Sequence, residues 1–352
     1  MPRPKAPRIL HRGWRNLDPS SRAYQDLLYP IRHSQKYKVW YTKRQDKGLN
    51  CLSGQHNGPC GSAGGCFSRN LALEASMLGL MLLTRLGQGR EAEVFAWADG
   101  YVLKLFWPEF SHADAELEAR LTQQVWLMGV PSAKVEDVLE MEGRWGMVLQ
   151  WIKGVPLTDY IQTDPSRLRF AAQMLGALHR QLHSKAAGQL PSQRLQLIRR
   201  IQACRLPLEL RVALLNHLEQ LPDGTALCHG DFHPENVLVS EDGVYVIDWP
   251  GAMRGNPVAD IARTTLLVLY SELPPDLPGR EEIMHQREQF YQTYLEHYQT
   301  FSGLDLAQLQ AWMPIVAAAR LRENIPSEES RLMSLIENGL AGSPAPLIRH
   351  FT

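Results

Sequence analysis

Between residues 80 and 150 the apolar positions come in runs of strand length, broken by turn residues. Met81 to Leu86, Ala92 to Trp97 and Tyr101 to Trp107 predict three strands, the last two joined by an Asp99-Gly100 turn. Ser111 is a fitting N-cap for the helix that follows. Asp114 sits in its first turn, and Leu117, Leu121, Val125 and Met128 recur at helical spacing. Val135 to Glu140 and Trp145 to Gln150 predict two more strands about a Glu142-Gly143 turn. Together these elements make a small α+β unit. Beyond residue 160 the apolar period becomes helical. Asp164-Pro165 opens a helix whose apolar face is Leu168, Ala171, Ala172, Leu175, Leu178 and Leu182. Further helices are predicted over 192–203, 207–221, 256–271, 280–301, 305–324 and 327–340. One strand pair interrupts them, Asn236 to Ser240 and Val244 to Asp248, about Glu241-Asp242-Gly243.

Composition changes this picture little. A chain of 352 residues, 44% hydrophobic and 21% charged, is ordinary for a soluble globular protein and long enough for two domains or one bilobal unit. No apolar run approaches the roughly 18 residues of a membrane span, and the basic, proline-bearing start has no apolar segment behind it. A membrane protein, a collagen-like fibre and a secreted disulfide scaffold are therefore excluded. The zero net charge hides an asymmetry: residues 1–76 hold 13 Lys and Arg against 4 Asp and Glu, so the remainder is acidic. An acidic body argues against a phosphate-backbone-binding surface on the main domain, so no nucleic-acid partner is expected there.

Segment 1–76 has one strand-like run, Tyr37 to Tyr41, and a Gly/Ser/Cys/Asn loop from Gly48 to Gly65. It reads as a basic binding arm, a disordered tail, or a stretch upstream of a start at Met77 or Met81; the last two are preferred. Cys51, His56, Cys60 and Cys66 lack the close pairs of a zinc site. Cys204 and Cys228 read as small buried hydrophobes, and five cysteines without framework spacing fit a reducing, cytoplasmic setting.

The chemistry concentrates in Leu227-Cys228-His229-Gly230-Asp231-Phe232-His233-Pro234-Glu235-Asn236, followed after a hairpin by Val246-Ile247-Asp248-Trp249. The spacing puts Asp231 and Asn236 on one loop and Asp248 at the end of the neighbouring strand. Oxygen-bearing side chains gathered in this way suit a hard cation such as Mg²⁺, and phosphoryl transfer needs such a clamp with a carboxylate beside the attacking hydroxyl. Upstream, Leu86-Gly87-Gln88-Gly89-Arg90-Glu91-Ala92-Glu93-Val94 is a glycine turn after a strand. Lys104 then stands mid-way along an apolar strand, a costly place unless something anionic meets it.

These residues resemble the aminoglycoside phosphotransferase and choline kinase superfamily, small-molecule kinases with the protein-kinase-like fold. The form HGDFHPEN…VIDW, with Gly after His229, looks like that family rather than the H-R-D-L-x-x-x-N and D-F-G of protein kinases. The likeness covers roughly residues 80–340. It implies a bilobal α+β fold, with a five-stranded antiparallel N-lobe carrying one helix and a larger, mainly helical C-lobe. On that reading 1–76 is a tail, 77–152 the nucleotide-binding lobe and 153–352 the catalytic lobe.

The resemblance further implies ATP or GTP held by Gly87, Gly89 and Lys104, with Lys104 paired to a helix glutamate. It implies an adenine hinge at Gln150 and Ile152, Mg²⁺ on Asn236 and Asp248, and Asp231 as the catalytic carboxylate. His229 and Asp260 are expected to brace the catalytic loop. Of the two glutamates, Glu118 borders the apolar stripe, whereas Glu116 shares a face with Arg120 and is expected to pair with it at the surface.

Two other classes compete. An atypical protein kinase would need room for an activation loop, but Pro250 to Pro257 leads almost at once into a helix. A non-catalytic nucleotide binder on the same fold is disfavoured by the intact Lys104, Asp231, Asn236 and Asp248. The expected partner is a small molecule bearing a hydroxyl group, without a membrane. Glu272, Asp276, Glu281, Glu282, Glu288 and Glu296 would suit an amine-bearing acceptor, although solvated helix faces are the preferred reading of each. Trp249, Arg320, Glu323 and Asn324 are candidate pocket residues, the last three at spacing that shares a helix face. His179 and His183 are four apart on one helix but lack a third ligand in sequence, so packing is preferred to metal binding.

Overall fold

Val102, Lys104 and Phe106 alternate with Leu103 and Leu105 along Tyr101–Phe106 (β3), and that period of two organises the smaller lobe. The computed structural model describes residues 83–343, apart from 272 and 274–276. Segment 1–76 with its strand-like run, its cysteines and His56, the candidate starts Met77 and Met81, and Glu272 and Asp276 lie outside the described residues.

The sheet comprises β1 (Arg85–Gln88), β2 (Ala92–Ala96), β3, β4 (Val135–Met141) and β5 (Arg144–Gln150), in the antiparallel order β1-β2-β3-β5-β4. One face packs Val94, Val102, Phe106, Met147 and Leu149 against Ala115 and Ala119 of α1 (His112–Leu127). The other face gathers Phe95, Leu103, Leu105, Met141 and Val148. By alternation Lys104 shares the α1 face. The N-terminus of α1 is closed by a reciprocal pair: the Asp114 amide donates to Ser111 Oγ at 3.3 Å, and the Ser111 amide to Asp114 Oδ2 at 2.8 Å. Leu117, expected on the apolar stripe, is instead 41% exposed. The helix meets the sheet through its small residues, which permit close approach, and turns the larger Leu117 away. Leu121 and Val125 join the core of the second lobe, so α1 belongs to both.

The second lobe contains β6 (Gly154–Pro156), α2 (Leu157–Gln162), α3 (Leu168–His183), α4 (Gln193–Gln202), α5 (Leu208–Gln220), β7 (Ala226–Cys228), β8 (Val237–Ser240) and β9 (Gly243–Val246). It continues with β10 (Met253–Gly255), α6 (Pro257–Thr265), α7 (Arg280–Ser302), α8 (Leu306–Leu321) and α9 (Pro326–Leu340). α3 packs on α7, and α8 on α4, α6 and α9, around one apolar core holding Leu175, Tyr291, Tyr294 and Trp312. The predicted strand pair is β8-β9, extended by β6; β7 pairs with β10. At three residues each, β6, β7 and β10 are too short to show a periodicity. The predicted 256–271 helix widens into a π-helical turn over Leu266–Tyr270. Among the described residues no helix is long and apolar enough to cross a membrane.

Candidate active site

β7 ends at Cys228, and the chain then turns through His229-Gly230-Asp231 into a 3₁₀ turn, Pro234–Asn236, before β8. Gly230 has φ 81°, and a β-carbon there would lie 2.7 Å from the Gly251 carbonyl oxygen. Only glycine lets the 229–231 loop approach the segment after Asp248 this closely.

The underside of this loop rests on Asp260 of α6. Its Oδ1 accepts from the Gly230 amide at 2.8 Å, and its Oδ2 from the His229 amide at 2.7 Å. The same Oδ2 meets His179 Nε2 at 3.1 Å and His183 Nε2 at 3.3 Å, while the Nδ1 atoms of those rings meet Tyr294 and Tyr298 hydroxyls, each at 2.7 Å. His179, His183 and Asp260 cluster as a metal site would. Both nitrogens of each ring are already engaged, however, and the separations are those of hydrogen bonds rather than metal bonds. Burial pushes His179 down to about 3, so it is neutral. Burial would raise the Asp260 carboxyl, but hydrogen bonds from His179 and His183 outweigh it and hold the group well below its ordinary range.

Across the cleft, Lys104 Nζ lies 2.5 Å from Glu118 Oε1 and 2.8 Å from Asp248 Oδ1. Burial would lower the lysine pKa, but the two carboxylates more than offset it and keep the ammonium charged. Glu118 is buried in the α1 face that meets the sheet. Glu116 is exposed and pairs with His112 at 3.3 Å, not with Arg120 as expected; His112 lies four residues earlier, one helical turn away.

Asp248 takes φ 67°, a left-handed conformation that costs a non-glycine residue about 1–3 kcal/mol. Its surroundings hold it there. The Ile247 amide donates to the Asn236 carbonyl oxygen at 3.0 Å, and Trp249 Nε1 to the Val246 carbonyl oxygen at 3.1 Å. Trp249 is fully buried against the His229 ring, 4.3 Å between centroids. This corrects its expected place in a substrate pocket: the left-handed turn at 248 sends the next side chain inward, where it pegs the loop. His229 is likewise buried, with Nε2 donating to the Ile247 carbonyl oxygen at 3.1 Å.

Asn236 Nδ2 donates to the Asp231 carbonyl oxygen at 2.9 Å, so Oδ1 is the atom that could hold a cation. Asp231 Oδ1 meets Arg263 at 3.0 Å and Oδ2 meets His233 at 3.4 Å. Burial would raise the Asp231 carboxyl, but His233 and Arg263 prevail and hold it far below the usual carboxylate range.

The glycine turn closes by a bond from the Gly89 amide to the Ala92 carbonyl oxygen at 2.7 Å; Gly87 lies in β1 opposite Val94. A β-carbon at Gly89 would make only an ordinary 3.7 Å contact, so packing alone does not demand glycine there. Gln150 and Ile152 stand on the connection between the lobes and line a cavity of about 120 Å³ with Ser240 and Tyr245.

Arg320 and Glu323 pair at 3.0 Å. Neither Glu323 nor Asn324 continues the helix of Arg320, because α8 ends at Leu321 and Asn324 turns to φ 51°. All three nevertheless line one cavity of about 530 Å³. Arg320 is buried by a two-point pair with Glu328, at 2.6 and 2.8 Å, so it shapes that cavity as part of an ion pair.

Sequence reasoning missed Glu91, Arg200, His233 and Arg263. Arg263 was within reach: it lies one turn beyond Asp260 on α6 and so shares its face.

Among solved structures, a thermostable mutant of aminoglycoside phosphotransferase APH(4)-Ia in its apo form is similar, with a TM-score of 0.51 and 18% identity over 77% of this chain and 94% of that chain. APH(3'')-Id from Streptomyces rimosus gives 0.51 and 19% over 72% and 98%. Amicoumacin kinase hAmiN, in complex with AMP-PNP, Ca²⁺ and Ami, gives 0.53 and 16% over 80% and 97%. These likenesses establish the bilobal, protein-kinase-like fold. A search of curated proteins gave no match. The model of the phosphotransferase enzyme family, APH, matches residues 83–312. With that span covering both the sheet and the helical lobe, the chain belongs to the phosphotransferase enzyme family.

Proposed function

We propose that this protein transfers the γ-phosphate of ATP or GTP to a hydroxyl group of a small molecule, with residues 77–152 as the nucleotide-binding lobe and 153–352 as the catalytic lobe. The observation that carries this reading is the ion-paired line Glu118–Lys104–Asp248, which joins β3 to the segment beside the Asp231 loop. A charged lysine held in a cleft, beside a carboxylate that is one-third exposed, is an arrangement suited to phosphate and metal together. Amicoumacin kinase hAmiN, of the same fold, was solved with AMP-PNP and Ca²⁺.

The donor set fits Mg²⁺: a carboxylate from Asp248 and the amide oxygen of Asn236, both hard oxygen ligands. When bound, the ion would neutralise charge developing on the phosphate oxygens. The glycine turn and Lys104 position the nucleotide phosphates. Asp231 accepts a hydrogen bond from the acceptor hydroxyl and orients its oxygen in line with the γ-phosphorus. The new O–P bond forms as the bond to the leaving β-phosphate oxygen breaks, and the hydroxyl proton passes to Asp231 and then to solvent. Because Arg263 and His233 make Asp231 a weak base, its work is orientation, with proton transfer late.

The test is direct. Asp231→Asn should lose at least a hundredfold in kcat while nucleotide Kd changes less than threefold, and Asp248→Ala should also lose metal-dependent nucleotide binding. Wild-type turnover in both variants would refute the assignment.

A further inference from the structure

We infer that the acceptor carries an anionic group, a carboxylate or a phosphate, which docks on Arg200 and Arg90 with its hydroxyl presented to Asp231. This rests on the phosphotransferase reading and deepens it. Asp231 and Glu323 occupy two ends of one guanidinium: Arg263 Nη2 is 3.0 Å from Asp231 Oδ1, and Nη1 is 2.7 Å from Glu323 Oε1. Glu323 lines the 530 Å³ cavity, so that cavity lies one guanidinium away from the carboxylate that would receive the acceptor hydroxyl.

Four guanidinium groups converge on Glu323. Arg263 and Arg320 are close, at 2.7 and 3.0 Å; Arg200 and Arg90 stand off at 3.7 and 3.8 Å, beyond hydrogen-bonding distance. Arg320 is already committed to Glu328, and Arg263 to Asp231 and the Gly230 carbonyl oxygen. Neither the Arg200 nor the Arg90 side chain makes a hydrogen bond among the described residues. One carboxylate cannot serve four planar forks, and Glu323 Oε1 itself accepts no aligned hydrogen bond. Burial and the neighbouring Arg263 both depress Arg200, marking a guanidinium short of counter-charge.

Glu91 faces both sides of the cleft. Its pKa is raised chiefly by burial, and its charge is felt by Lys104 and Asp248 and also by Asp231 and Arg90. Four arginines stand against four carboxylates, Asp231, Glu323, Glu328 and Glu91, so the donors that lack an acceptor, and not net charge, select the ligand. A polycation would find no use for the Arg200 and Arg90 donors, which are 45% and 77% exposed and open to a ligand, whereas an anion would complete them.

Two measurements on the full-length chain test this. Thermal unfolding is followed with malonate, with glycerol 2-phosphate and with spermidine, at matched ionic strength and with saturating ADP and Mg²⁺. At least one anion should raise Tm in the wild type and lose that effect in Arg200→Ala; the two anions separate the carboxylate from the phosphate. Spermidine should give no rise. ADP release is then screened with ATP, Mg²⁺ and hydroxy acids, sugar phosphates, neutral sugars or aminoglycosides. Turnover should appear with one of the first two classes. Arg200→Ala should raise KM at least tenfold with a smaller change in kcat, and Arg200→Lys should recover part of it. The inference is overturned if neither anion stabilises the wild type, if Arg200→Ala responds equally, or if aminoglycosides or neutral sugars are turned over as well as any anion. An Arg200-dependent anion shift with no turnover of any acceptor would sink the phosphotransferase reading and leave the anion site standing.

Discussion

Asp260→Asn is the sharpest perturbation available in this structure, because it changes one oxygen into a nitrogen and almost nothing in shape. The carboxylate accepts four hydrogen bonds: from the His229 and Gly230 amides, at 2.7 and 2.8 Å, and from the His179 and His183 rings, at 3.1 and 3.3 Å. Three of these reach Oδ2 and one reaches Oδ1, so the least costly amide orientation sets the new NH₂ against the Gly230 amide. That leaves a buried donor facing a donor, at about 1–3 kcal/mol. The three surviving bonds lose their charge assistance and fall to roughly half strength. Together the loss of stability should be about 3–5 kcal/mol, a large share of the ~5–15 kcal/mol typical of a folded protein. Urea titration at pH 7 measures it from the midpoint at constant slope. A loss below about 1 kcal/mol would refute the claim that Asp260 holds the loop. Because the loop carries Asp231, kcat should fall in the same variant with nucleotide Kd nearly unchanged.

The neutral, buried His179 makes stability depend on pH. Its folded pKa of about 3 lies below the ordinary 6.5, so its contribution is complete above pH 6.5 and drains away as pH falls toward 3, at up to about 1.4 kcal/mol per unit. His229, depressed by burial, acts with the same sign, whereas Glu118, raised by burial to about 7, acts with the opposite one; equal urea midpoints at pH 7 and pH 5 in Glu118→Gln, where that opposing group is gone, would contradict this. Glu118→Gln should weaken nucleotide binding about tenfold by freeing Lys104 from its buried partner, whereas Glu116→Gln should change it less than twofold; titration calorimetry separates the two. Gly146→Ala should cost about 1–3 kcal/mol, because the added carbon would lie 2.8 Å from the Lys104 carbonyl oxygen and prise β3 from β5; an unchanged melting temperature would show that the strands can part freely.

Much of the site was readable from local patterns. A cation at the centre of an apolar strand announces a buried anion, and Lys104 meets two carboxylates, Glu118 and Asp248. Glu118 was separable from Glu116 because three residues set it beside Leu121. Asp231, Asn236 and Asp248 were tied by spacing across a hairpin. What escaped was assembled from distant parts of the chain. Arg200 on α4 and Arg263 on α6 share no period with Glu323 after α8, which helical spacing groups with Arg320, and they reach it only through packing. Net charge said little about this corner: the acidic balance beyond residue 76 would suit an amine-bearing acceptor, with solvated helix faces preferred for each residue, whereas the surroundings of Glu323 are set by four arginines within 4 Å of it. Trp249 was misplaced because the left-handed turn at 248, which no sequence pattern marks, carries its side chain into the core.

The contact between Lys104 and Asp248 joins residues 144 positions apart. During synthesis, β3 and α1 leave the ribosome long before Asp248 is made, so the emerging sheet holds its interior ammonium with Glu118 as its sole strong counter-ion. The smaller lobe is thus electrically unfinished until the larger one docks. The full charge balance around Lys104 is therefore a property of the two lobes together and of neither alone.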